Sequence, residues 1–89
     1  MQFRAIVRGR VQGVYYRATT VEEAQTLGLK GFARNMPDGS VEVVARGEEP
    51  ILKRFIEYLH RGPTLAVVTA VEVEWGDSSP APDPFVTKY

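Results

Sequence analysis

The 89-residue sequence contains no cysteine, which removes disulfide frameworks, thiolate nucleophiles and zinc–thiolate centres together. It contains one histidine, so neither a histidine-rich metal cluster nor a relay between two histidines can be built. No apolar run approaches the roughly 20 residues of a membrane-spanning helix, and Arg4 and Arg8 interrupt the opening where a secretory signal would lie. Neither sign of charge is in excess: 11 basic side chains face 11 acidic ones. That balance argues against a general nucleic-acid or membrane binder. What is left is a soluble, cytoplasmic protein with one domain over residues 1–89. Size scaling gives such a chain roughly 60–65% of its unfolded surface to hide, enough for one core without staples.

The charges that are present are unevenly placed. Residues 1–37 carry Arg4, Arg8, Arg10, Arg17, Lys30 and Arg34 against Glu22 and Glu23, a balance of +4, and residues 38–89 carry the compensating −4. No acid precedes Glu22. A basic, acid-free opening points to the handling of an anion there.

The hydrophobic pattern gives the element order. Phe3, Ala5 and Val7 alternate with Gln2, Arg4 and Arg8, broken only by Ile6, which reads as a strand over 2–8 with one buried face. A glycine-bracketed loop, 9–14, leads into a helix over 16–27 with Val21, Ala24 and Leu27 on its inner face and Gly28 as its stop. Strands over 31–35 and 41–46 flank a tight hairpin at 36–40. Glu48, Glu49 and Pro50 open a second helix, in which Leu52, Phe55, Ile56 and Leu59 follow the spacing of a buried stripe. Gly62 and Pro63 end it, with His60 serving as a cation near its C-terminus. Val71, Val73 and Trp75 alternate with Glu72 and Glu74 in a strand with one wet face, and a short strand over 85–89 follows. The order β-α-β-β-α-β, plus that short C-terminal strand, predicts an α+β, ferredoxin-like split βαβ sandwich: an antiparallel sheet with both helices on one face. The fold alone decides no function.

Two segments carry chemistry. In Gly9-Arg10-Val11-Gln12-Gly13-Val14-Tyr15-Tyr16-Arg17 the two glycines let successive N–H groups turn inward at a helix N-terminus, a natural anion cradle. Arg17, in the first helical turn, can close over the anion with a two-point grip. The Gly-Lys-Ser/Thr end of a nucleotide-binding loop and the dinucleotide fingerprint are both absent. In the second segment, 30–42, Asn35 ends a strand just before the hairpin; Gly31, Asp38 and Gly39 serve the turn and close packing.

These segments resemble the acylphosphatase family, whose signatures are Gly-Arg-Val-Gln-Gly-Val-x-(Phe/Tyr)-Arg, found at 9–17, and Gly-aromatic-(Ala/Val)-basic-Asn-x-x-Asp-Gly-(Ser/Thr)-Val-Glu, found at 31–42. Arg61-Gly62-Pro63, the 71–75 strand and the closing Phe-x-x-x-Tyr are similar too, so the resemblance covers essentially the whole chain. Tyr16 departs from the commoner Phe, placing a hydroxyl beside the cradle, and Thr87 stands where an aliphatic residue is usual. The resemblance implies a monomeric, cofactor- and metal-independent hydrolase of small acyl phosphates. Its phosphate cradle would be the backbone N–H groups of Gln12, Gly13, Val14, Tyr15 and Tyr16, and its catalytic residues Arg17 and Asn35. Inorganic phosphate would be product and inhibitor, with no nucleic acid or membrane as partner.

Two other functions compete. An RNA-recognition module shares the element order, and Lys30-Gly31-Phe32-Ala33 matches the start of its signature, but Arg34-Asn35-Met36 replaces the aromatic continuation, and on the second strand, not the third. The other is a non-catalytic accessory domain binding phosphate or carbamoyl phosphate. Taken one by one, the residues also have plain roles. Arg17 could be a solvated helix arginine and Asn35 a turn-starter; Phe55, Tyr58 and Trp75 belong to the core or its edge, and Glu72 and Glu74 to a wet face. Arg4, Arg8 and Arg10 are either surface charges or a field that steers an anion inward.

Overall fold

The computed structural model describes residues 1–89. Along the chain run β1 (Gln2–Arg10), α1 (Tyr16–Thr26), β2 (Lys30–Asn35), β3 (Val41–Arg46), α2 (Glu49–Arg61), β4 (Val67–Trp75) and β5 (Val86–Lys88). One sheet forms in the order β4-β1-β3-β2-β5. Its first four strands are antiparallel, as the element order predicts, while β5 lies parallel to β2, making the sheet mixed. The segment between β4 and β5 passes Gln2 at the start of β1 and Gly31 near the start of β2, and β5 then runs in β2's direction.

Strand alternation decides which face is covered. Phe3, Ala5 and Val7 are fully buried, and their neighbours Val43, Val41 and Ala45 on β3 share that face beneath the helices. β1 runs two residues beyond the predicted Arg8 because the ladder to β4 slips at Arg8/Gly9, a β-bulge. Gly9 is required at this slip: its φ is +124°, and a Cβ would lie 2.1 Å from the carbonyl oxygen of Val67.

The phase of α1 differs from the sequence expectation. Tyr16, Thr20 and Ala24 are its buried residues, while Val21 and Leu27 are half-buried at the flanks. The Tyr16 ring sets the phase: it enters the core at the first helical position, and Gly62 leaves room where a Cβ would come within 2.6 Å of that ring. α2 follows its predicted stripe, with Leu52, Phe55 and Leu59 fully buried and Ile56 half-buried. Phe55 meets Phe3 and, edge-on, Phe85, with ring centroids at 6.3 and 5.8 Å. Full burial of each such ring is worth about 1.5–3 kcal/mol. Trp75 sits at the core edge, edge-on to Phe3 and 40% exposed. The last strand is shorter than expected because Phe85 turns into the core and Tyr89 lies beyond the final pair, Arg34 with Lys88.

Candidate active site

The cradle loop is pinned from below and left open above. Val11 and Val14 are buried, while Gly13 and Tyr15 both take left-handed backbone, with φ of 74° and 65°. For tyrosine that conformation costs of order 1–2 kcal/mol, a strain that something else must hold in place. None of the N–H groups of residues 11–15 finds a backbone acceptor within the chain. Tyr15 is the N-cap of α1, yet no side chain caps this helix and its first turn has no acid. Donors at a helix start with no partner of their own are what an anion can use.

Three groups from other places converge on the same space. Arg17 comes from the second position of α1, and its guanidinium lies 4.7 Å from the centre of the Tyr89 ring. Asn35 is the last residue of β2, paired with Val41, so its side chain points to the helix side of the sheet. Its Oδ1 is buried and has no hydrogen-bond partner. Buried polar atoms are nearly always paired, so an orphan here calls for a ligand or water. Gly13, Tyr15, Arg17, Asn35, Thr87 and Tyr89 line one cavity of about 450 Å³. No three His, Cys, Asp or Glu side chains gather to ligate a metal; the polar side-chain groups on the cavity are a guanidinium, an amide and hydroxyls.

Of the predicted site residues, Gly13, Tyr15, Tyr16, Arg17 and Asn35 line the cavity while Gln12 and Val14 do not, and three details refine the picture. The Tyr16 hydroxyl does not lie beside the cradle: it is buried and donates to the carbonyl of Leu59, 2.7 Å away, so burial pushes its pKa well up. Gln12 turns its side chain away, donating to Met36 O and Ser40 O, both at 2.8 Å. Thr87 and Tyr89 join the cavity through the pairing of β5 beside β2, which sequence reasoning did not assign; the closing Phe-x-x-x-Tyr was the available signal.

Three of the other arginines are occupied. Arg4 and Arg34 both grip Glu42, at 2.6 and 2.8 Å, and Arg8 bridges Glu72 and Asp38 at 3.0 and 3.3 Å. Glu42 is only 6% exposed. Burial alone would raise its pKa, but the two guanidinium groups outweigh that and hold the carboxyl below the usual carboxylate range. Asp38 is held low by the hydroxyl and N–H of Ser40, with a smaller part from Arg8. His60 and Arg61 lie in the last turn of α2, away from the cavity.

Fold and site together define a small α+β protein with a cavity that gathers Arg17, the buried Asn35 oxygen and unpaired backbone donors. The acylphosphatase family model matches residues 3–87, and the chain belongs to the acylphosphatase family. It is 55% identical over 75 residues to an acylphosphatase of Thermus thermophilus, covering 84% of this chain and 85% of that one. The crystal structure of acylphosphatase from Bacillus subtilis superposes with a TM-score of 0.91 at 36% identity, over 99% of this chain and 98% of that chain. The fold also recurs within a much longer protein, T. kodakarensis HypF, at a TM-score of 0.85 and 28% identity, covering 100% of this chain and 12% of that one.

Proposed function

We propose that this chain hydrolyses acyl phosphates to a carboxylate and inorganic phosphate, as a single monomeric domain using no metal or cofactor. The carrying observation is that an orphaned Asn35 Oδ1, an unpaired Arg17 and the uncapped start of α1 meet at one cavity. The phosphoryl oxygens accept hydrogen bonds from the N–H groups of Gln12, Gly13, Val14, Tyr15 and Tyr16, and Arg17 grips two of them. Asn35 accepts a hydrogen bond from a water through Oδ1 and can donate through Nδ2, which sets the water in line with the scissile bond. The water oxygen bonds to phosphorus as the bond from phosphorus to the acyl oxygen breaks. The electron pair leaves on the carboxylate, and the water's proton ends on the phosphate. A carboxylate leaves without help from a general acid, and a loose, charge-rich transition state is served by positioning and electrostatics. An amide does not titrate near neutrality, so Asn35 orients the water and does not deprotonate it.

A single domain accords with one continuous core and a family match that spans nearly the whole chain. The RNA-binding alternative loses its surface. Phe32, the ring that a base would stack on, is 4% exposed with Lys88 Nζ 4.5 Å from its centre, and ion pairs of Arg4, Arg34 and Glu42 occupy the same face. The test is hydrolysis of benzoyl phosphate in EDTA, with inorganic phosphate as competitor. Turnover with competitive inhibition is expected; no turnover, together with tight binding of an RNA oligomer, would reverse the reading.

A further inference from the structure

Gln12 is the only side chain of the loop 11–15 that hydrogen-bonds to another segment. Its Nε2 carries two hydrogens, and both are used: one on Met36 O and one on Ser40 O, each at 2.8 Å. Those two carbonyls form the neck of the β2–β3 hairpin. Ser40 O also accepts from Met36 N, and Met36 O from Gly39 N. Met36 directly follows Asn35, and Asn35 pairs with Val41, the residue after Ser40. The half-buried Gln12 amide therefore ties the cradle to both strands beside the orphaned Asn35 Oδ1. The backbone donors of the cradle need no particular side chain at this position. The two bonds across to the hairpin do.

We infer that Gln12 is a positioning residue, whose side-chain amide locks the phosphate cradle to the hairpin neck so that an anion bound in the cradle fixes Asn35 in line. This rests on the proposed division of labour, with phosphate on the loop and water on Asn35. A misplacement of about 1 Å between those two halves is enough to cost up to 10²-fold in rate. Anion binding, in turn, must stiffen the neck, because coupling between two sites is reciprocal.

A double-mutant cycle separates this role from a merely structural one. Gln12→Ala is expected to lower kcat for benzoyl phosphate on the order of tenfold, with the inhibition constant of inorganic phosphate changed less than about threefold. In the Asn35→Ala background the same substitution should change kcat less than about twofold, since there is no amide left to position. An equal loss in both backgrounds would overturn the inference. Full activity of Asn35→Ala alone would instead sink the water-holding reading. Amide hydrogen exchange on the unmutated chain decides the coupling even if Gln12→Ala does not fold. Saturating phosphate should slow the Met36 and Gly39 amides more than that of Gly76, which donates to Gln2 O in a separate turn. Equal slowing at all three, or none, overturns it.

Discussion

On the open face of the sheet, Arg4, Arg8 and Arg34 each hold a carboxylate, whereas at the cradle Arg17 holds none. The contrast extends to neutral groups. Asp38 receives the hydroxyl and N–H of Ser40 and the Tyr16 hydroxyl finds Leu59 O, but the loop N–H groups and Asn35 Oδ1 are left without partners. One region shows how this chain satisfies polar groups when the fold alone has to be served. The other is where it leaves several open together, with Tyr15 strained besides, whereas the core leaves the Thr20 hydroxyl oxygen alone without a partner. Unmatched donors, a cation and an acceptor gather in one cavity, where we propose that the substrate phosphate binds. Substitutions in the two regions should therefore separate activity from stability.

The largest effect is expected from Arg17→Lys, a loss on the order of 10³-fold in kcat/KM with little change in Tm, because an ammonium cannot reproduce the two-point grip on phosphoryl oxygens. Near-wild-type turnover of benzoyl phosphate would erase the contrast. Asn35→Ala follows, with kcat lower on the order of 10²-fold and the inhibition constant of phosphate preserved. Weakened phosphate inhibition in parallel with turnover would mean that Asn35 binds substrate instead of water.

The open face answers differently. Glu42→Gln should cost about 1–2 kcal/mol in urea unfolding with activity per folded molecule retained; the figure sits below that for a sealed pair because Arg4 and Arg34 are one-third exposed. Its pH signature has a definite sign. The folded carboxyl is held low, so the unfolded chain takes up the proton first, near pH 4.3. The stabilisation is complete above that value and is lost as pH falls through the folded pKa; Glu42→Gln should flatten this acid limb. Smallest is Tyr16→Phe, about 1 kcal/mol, since the Leu59 carbonyl loses its donor. Burial raises the Tyr16 pKa, so its contribution is complete below about pH 10 and fades above it. The variant should lose that alkaline limb, and an unchanged limb would assign it elsewhere.

Much of this was legible in the sequence. The alternation in β1 and the stripe in α2 follow periodicity alone, and the position of Arg17 after two glycines points to the proposed anion site. The phase of α1 was not legible: Tyr16, read as a cradle residue, is the core anchor that turns Thr20 and Ala24 inward. Nor could a one-dimensional pattern show that +4 in the first 37 residues is largely neutralised in space. Arg4 and Arg34 meet Glu42 across strands, and Arg8 meets Glu72 from β4, which leaves Arg17 as the unpaired cation on the cavity. The register of β5 beside β2 depends on a return past the ends of β1 and β2, so Thr87 and Tyr89 join the site by topology.

A titration of ¹⁵N-labelled protein with inorganic phosphate, followed by NMR, tests the contrast between the two regions most directly. The backbone amides of Gln12, Gly13, Val14, Tyr15 and Tyr16 and the Nε–H of Arg17 should shift together and saturate, while the Nε–H signals of Arg4, Arg8 and Arg34 stay in place. Saturable shifts on the open face, or a cradle that does not respond, would contradict the account.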